Sequence, residues 1–231
     1  MPRHPWLSLA LLTSLVAALA APALAQSDID ASRKWSWGEN VGYMNWRDAN
    51  NGAQGVRLTE TFLAGYIWGE NIGWVTVGDG TPTGSGGTLY TNTTGSDTGV
   101  NIAPNGDLYG YAWAENVGWI NFDTRAALTP FGQQARLDLA SRRLRGYAWG
   151  ENIGWINLND ASKYVALRCL ADYNDDGTSD ILDLLDFLQD FSACDGQPTP
   201  CGIFDPDLDA SGNIDVLDFL DFLQAFAAGC P

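Results

Sequence analysis

Four near-copies of one cassette constrain this chain more than any other feature. The strictest reads Gly146-Tyr147-Ala148-Trp149-Gly150-Glu151-Asn152-Ile153-Gly154-Trp155-Ile156-Asn157. Its relatives run from Trp37 to Tyr43, Gly65 to Trp74 and Gly110 to Trp119, and the leading Trp residues at 37, 68, 113 and 149 are separated by 31, 45 and 36 residues. Such spacing belongs to a supersecondary unit repeated with connectors of variable length. Within a copy, aromatics stand two apart, a Glu-Asn turn follows, and a Gly-aromatic pair opens a short run, which reads as a β-hairpin. Ala114 replaces the first turn Gly in one copy, whereas Gly42, Gly73, Gly118 and Gly154 stand in all four. The later Gly is the stricter requirement, for a positive φ or a bulge.

Further strands are predicted before the last three hairpins, at residues 55–58, 99–102 and 135–139. The first cassette lacks one, and an unpaired candidate at 163–167 follows the last. The expected fold is therefore a mainly β repeat domain of four three-stranded units. A closed, propeller- or barrel-like ring, with the last strand pairing the first cassette, removes the exposed edges; a linear stack with capped ends is the alternative. Residues 78–98, rich in Gly, Thr and Ser, form a long connector. It reads as a tolerated insertion rather than a binding loop.

The N-terminus carries Arg3, an apolar run from Trp6 to Leu24, and Ala23-Leu24-Ala25 before Gln26, the pattern of a cleaved secretory signal peptide over residues 1–25. No other run is long and apolar enough to span a bilayer, so a secreted or cell-surface protein without a membrane span after cleavage is expected. The remainder divides by charge into a β domain, 26–168, and a small module, 169–231. Residues 170–231 carry 14 Asp and no basic residue. That field argues against nucleic acid and anionic membranes and suits a module that gathers cations. The single His, His4, falls in the signal peptide, which removes His-based triads and metal sites from the mature chain. All four Cys lie in the module, an even number that suits two disulfides in an exported chain. Spacing alone leaves connectivity open; the favoured pairing is Cys194 with Cys201 as a local loop and Cys169 with Cys230 as a clasp. A zinc site has little support without a CxxC pair.

Nine Trp fall in the β domain. With one at the same place in each repeat, packing around a shared axis is the economical account, and exposed faces stacking on a polysaccharide are the other. Glu39, Glu70, Glu115 and Glu151 invite a glycosidase reading. They share one context, whereas catalytic acid and base need unlike environments, so hydrogen bonding at the turns is the expected role. The cassette resembles one found in secreted bacterial proteins of unknown role, which implies no activity.

The module contains Asp172, Asn174, Asp176, Thr178, Asp180 and Asp183 at positions 1, 3, 5, 7, 9 and 12 of a loop with Gly177 at 6. A second copy sets Asp207, Asp209, Ser211, Asn213, Asp215 and Asp218 at the same positions, with Gly212 at 6. This is the oxygen spacing of a calcium loop, so two Ca2+ ions are expected, with Ser211 weakening the second site by one charge. Each loop runs into a duplicated amphipathic helix, from Ile181 and from Val216. The pair resembles the dockerin family, and Gly229-Cys230-Pro231 is similar to the ending of its GC-type members. The resemblance implies a small α-helical, calcium-dependent module that docks onto a cohesin-like receptor, often in company with polysaccharide-degrading proteins. It also implies partner contact by loop positions 10 and 11, here Ile181, Leu182, Val216 and Leu217, for which burial in the core is the alternative. The functional expectation is a non-catalytic surface or binding protein anchored by this module. A polysaccharide-active or carbohydrate-binding component and a structural envelope protein are the alternatives.

Overall fold

The computed structural model describes residues 27–51, 54–196, 206–208 and 211–230. The signal-peptide segment, Cys201 and Asp209 lie outside the described residues. Each cassette is a hairpin: β1 (Ile29–Gly38) with β2 (Gly42–Asn45), and β4 (Leu63–Gly69) with β5 (Gly73–Gly78) after the short β3 (Arg57–Leu58). The third follows β6 (Val100–Ile102) and consists of β7 (Leu108–Ala114) and β8 (Gly118–Asn121). A single turn, α1 (Arg125–Leu128), leads to β9 (Arg136–Asp138), β10 (Arg143–Arg145), and the fourth hairpin, β11 (Tyr147–Gly150) with β12 (Gly154–Asn157). The strand β13 (Val165–Leu167) and two helices, α2 (Ile181–Cys194) and α3 (Val216–Ala228), complete the described elements.

The four hairpins pair side by side, and β12 returns to β1 with Trp37 opposite Asn157 and Gly38 opposite Ile156. The product is a closed, eight-stranded antiparallel barrel. The ring expected from the sequence is present, but its closure is made by two hairpin strands, not by the last strand. That strand closes a second tier. β3, β6 and β9 pair with the leading halves of β4 and β7 and with β10, and β13 does the same for β1 through Ile29↔Leu167 and Lys34↔Val165. The break between tiers falls on the cassette's leading Gly. Gly65 and Gly110 have φ of 99° and 97°, and a Cβ there would stand 2.4 and 2.3 Å from the carbonyl oxygens of Gly55 and Gly99. Only glycine allows the strand to kink at such an approach.

Alternation sorts the cassette into two faces. Met44, Ile67, Val75, Ala112, Ile120, Ala148 and Ile156 point into the core, joined by Val41, Ile72 and Ile153 from the turns. A Cβ added at Gly38, Gly69 or Gly150 would come within 2.4, 2.6 or 2.5 Å of those turn side chains. The interior is therefore full of small and branched residues, as expected of an eight-stranded barrel. This corrects the expectation that the repeated Trp pack around the axis: they face outward, and of the nine only Trp46, with its Nε1 donating to Ser36 Oγ at 2.9 Å, is fully buried.

The turns explain the Asn of each cassette. The Nδ2 of Asn71 donates to the Val41 carbonyl, Asn116 to Ile72, Asn152 to Val117 and Asn40 to Ile153, at 3.0, 3.0, 3.0 and 3.1 Å. Each turn is thus tied to its neighbour, and the fourth bond returns to the start. The Glu residues, expected to hydrogen-bond the turns, are exposed instead, and the adjacent amides carry that role. Asn116→Ala is expected to cost about 1 kcal/mol, ~2–4 °C in melting temperature, by leaving one carbonyl without its partner. Scanning calorimetry checks this; an unchanged transition would mean that water replaces the bond without loss.

Candidate binding sites

Two surfaces carry side chains that the fold alone does not require. The first is the barrel's outer belt. Cross-strand registers place Trp68 against Trp74, Trp113 against Trp119, Trp149 against Trp155 and Trp37 against Tyr43. Their ring centroids lie 5.1, 4.5, 4.8 and 4.6 Å apart; three pairs meet edge to face, as the ring quadrupole favours, and Trp113 with Trp119 is tilted at 60°. Tyr66, Tyr111, Tyr147 and Trp35 add a third ring to each set. Every paired indole remains 37–43% exposed.

The 79–98 connector, expected as a tolerated insertion, is tied down by hydrogen bonds near both of its ends. Tyr90 is buried, its hydroxyl accepts from Gly80 N–H at 2.8 Å, and the Asn101 side chain bonds both its backbone groups. Asp97 accepts the hydroxyls of Thr83 and Thr91, both at 2.6 Å, and their N–H groups. Those hydroxyls, with the backbone donors, hold its carboxyl down to about 2. The connector's Asn92 and Thr98 border Tyr111 and Trp119 of the third hairpin. A trough of about 420 Å3 opens between that hairpin and the fourth, lined by Tyr111, Trp119, Trp149, Asn121, Glu151 and Asn92. Of the four cassette Glu, Glu151 alone contributes to it.

The second surface belongs to the helical pair. Residues 35 apart occupy matching places, and the matched Phe187 and Phe222 stack at 4.4 Å with planes 4° apart. Tyr173 closes this small core, with Leu184, Phe191, Leu208, Phe219 and Phe226 packed around it. Both helices start with a capping box. Asp180 accepts the Leu182 N–H at 2.8 Å while Asp183 accepts the Asp180 N–H at 2.7 Å; Asp215 and Asp218 repeat this with Leu217 and Asp215 at 2.8 Å each. Asp172 receives the N–H groups of Asp176 and Gly177, and Asp207 those of Ser211 and Gly212.

Asp183 and Asp218, at position 12 of the two loops, are both buried. Burial pushes the Asp172 carboxyl up, against the pull of the Gly177 and Asp176 N–H groups, while the charges of Asp183 and Asp175 add to the rise. Asp176 is held below its ordinary value by the Thr178 hydroxyl and N–H. The other expected ligands, Thr178, Asp180, Ser211, Asn213 and Asp215, are exposed, and Asn174 is half-buried. Among the described residues no group of three Asp, Glu, His or Cys converges to hold a metal ion. The donor set still has the chemistry of a hard divalent cation: carboxylate, amide, hydroxyl and backbone oxygens on one loop closed by a buried carboxylate.

The residues expected to meet a partner do not enter the core. Ile181, Leu182, Val216 and Leu217 are 59, 52, 62 and 54% exposed, and Leu185, Leu188, Leu220 and Leu223 extend the same apolar stripe on each helix. Cys169 and Cys230 form the expected clasp, and Cys194 is also disulfide-bonded. Sequence reasoning missed the link between module and barrel: buried Arg47 donates to the Ile29 carbonyl and pairs with Asp175 of the first loop. It missed the trough as well, since nothing local to the sequence says where the connector lands. No helix among the described residues is long and apolar enough to cross a membrane. No family model matches the chain, and no curated protein or solved structure matches it.

Proposed function

We propose that this chain is an exported, non-catalytic binding protein whose C-terminal module binds two calcium ions and docks, in the manner of a dockerin, onto a cohesin-like receptor. The observation that carries the reading is the apolar stripe beginning at Ile181 and Leu182 and repeated from Val216 and Leu217, left outside a core that the same helices otherwise fill. Exposed apolar residues in matched positions beside acidic loops suit a protein partner. Asp172, Asn174, Asp176, Thr178, Asp180 and Asp183 would hold one ion, and Asp207, Asp209, Ser211, Asn213, Asp215 and Asp218 the other. A bound cation would neutralise carboxylates that repel one another and fix the angle at which each stripe is presented.

Hydrolysis of a glycosidic bond needs two carboxylates flanking it. Glu151 is the single acidic side chain lining the trough, which supports the non-catalytic reading. The test is retention of the full chain on immobilised cohesin domains. Retention in calcium, loss in EGTA, and loss in a Leu182→Asp, Leu217→Asp double variant are expected. Both positions lie in the first helical turn, where an added acid is tolerated, so the variant should keep its helical signal. Retention that ignores both the chelator and the double variant would overturn the reading.

A further inference from the structure

The outer belt repeats four times, yet the 79–98 connector walls only part of it. The trough it borders is joined by a second hollow of about 230 Å3 over Trp113, and the two share Trp119, Gly95 and Thr98. We infer that this walled stretch is a binding site for a neutral polysaccharide chain, with Trp119 at the junction of two subsites.

Three properties select that ligand. The first is flat apolar surface: with the connector already packed, Trp119 and Trp149 remain 43% and 37% exposed, and an indole face matches the C–H face of a sugar ring. The second is unspent hydrogen-bonding capacity beside those rings. Asn121 uses one N–H and one lone pair on Asp123, and Asn92 uses one of each on Tyr90 and Gly99. Each amide keeps a donor and an acceptor, the pairing that a hydroxyl requires. The third is charge. Glu151 can accept from a hydroxyl but repels an anionic glycan, and no Lys or Arg lines either hollow. A quaternary ammonium would use the rings and the carboxylate and leave both amides without a role.

Size and rigidity agree. The trough falls within the roughly 300–1,000 Å3 of small-molecule sites. The bonds to Asp97 and Tyr90 hold the wall before any ligand arrives, which reduces the ordering cost of binding. The site stands apart from the docking module, so its occupancy should be the same in calcium and in EGTA.

Affinity electrophoresis of the full chain through gels containing laminarin, xylan, galactomannan, hydroxyethylcellulose or soluble starch tests the inference, with choline chloride titration as a control. Retardation by at least one glycan is expected, weakened tenfold or more by Trp119→Ala and by Trp149→Ala. Trp37→Ala, on the first hairpin, should leave it within twofold. Asp97→Ala should weaken it by loosening the wall, with the barrel's melting transition retained. Migration unaffected by all five glycans, retardation that survives Trp119→Ala, or saturable choline binding without glycan binding would each overturn the assignment.

Discussion

Deleting residues 163–168 is expected to unfold the β domain as a whole rather than fray one edge. The strand β13 touches both ends of the chain's path around the ring. It pairs with β1, and Arg143 of β10 stands opposite Ala166. Around it, Trp35 N–H reaches the Tyr164 carbonyl, Leu167 N–H reaches Arg142, and Arg168 N–H reaches Asp28, at 3.1, 2.8 and 2.8 Å. Val165 is fully buried, and so is Ile29, which depends on the strand for its place. Losing one buried branched side chain costs about 1.5–3 kcal/mol. Several backbone bonds at about 1 kcal/mol each bring the total to roughly 5 kcal/mol or more. Domains of this kind are stable by about 5–15 kcal/mol in all, so the deletion removes much or all of the margin. The Val165→Asp variant asks the same question without shortening the chain. A deletion variant that keeps its full calorimetric enthalpy would mean that the β12–β1 pairing suffices and the second tier is dispensable.

Calcium withdrawal is expected to have the second-largest effect, and a local one: EGTA should abolish the helical signal of α2 and α3 while the near-ultraviolet signal of the belt persists. The helical core is small, and no cation within residues 170–231 offsets the 14 Asp. An ion at a thousand times its dissociation constant contributes about 4 kcal/mol per site. The Cys169–Cys230 clasp, closing a separation of 61 residues, contributes about 4 kcal/mol on the chain-entropy account. It limits how far the module can open without replacing the ions. Asp183 and Asp218 also cap their helices, so an Ala variant would confuse two roles. Asn keeps a side-chain oxygen to accept the capping N–H and removes the charge. Asp183→Asn with Asp218→Asn is therefore expected to lose the response to calcium and to leave a less stable module. Identical melting with and without chelator would overturn calcium-linked folding.

The two halves of the chain differ in how much of this was legible beforehand. In the module the signals are local. Oxygen spacing and apolar periodicity belong to one short stretch, so the duplicated loop–helix pattern follows from neighbouring residues. Whether Ile181 and Leu182 turn inward is not local, because it depends on how the second copy packs against the first. The stacking of Phe187 on Phe222 settles it by filling the centre with aromatic rings.

In the β domain the repeat, the hairpins and the demand for a closed ring could all be read from spacing and from one unmatched strand. The choice of face could not. Both faces of Tyr66-Ile67-Trp68-Gly69 are apolar, and hydrophobicity alone favours burying the larger rings. Barrel diameter reverses that preference: eight strands enclose room for Ile67 and the Ile72 side chain over Gly69, but not for a ring of indoles. The alternation of a branched or small residue with Gly or Ala between the aromatics was the available sign, and it has meaning only once the number of strands is known. The Asn-to-carbonyl ring and the Arg47–Asp175 link join residues 30 to 128 positions apart, so no short window along the chain contains both partners. Sequence by itself determined the repeating unit, the turns and the spacing of the acidic loops, since these rest on backbone geometry and near neighbours. Tertiary structure alone decided which face is inside and which surfaces meet, because those depend on the volume a closed barrel can hold.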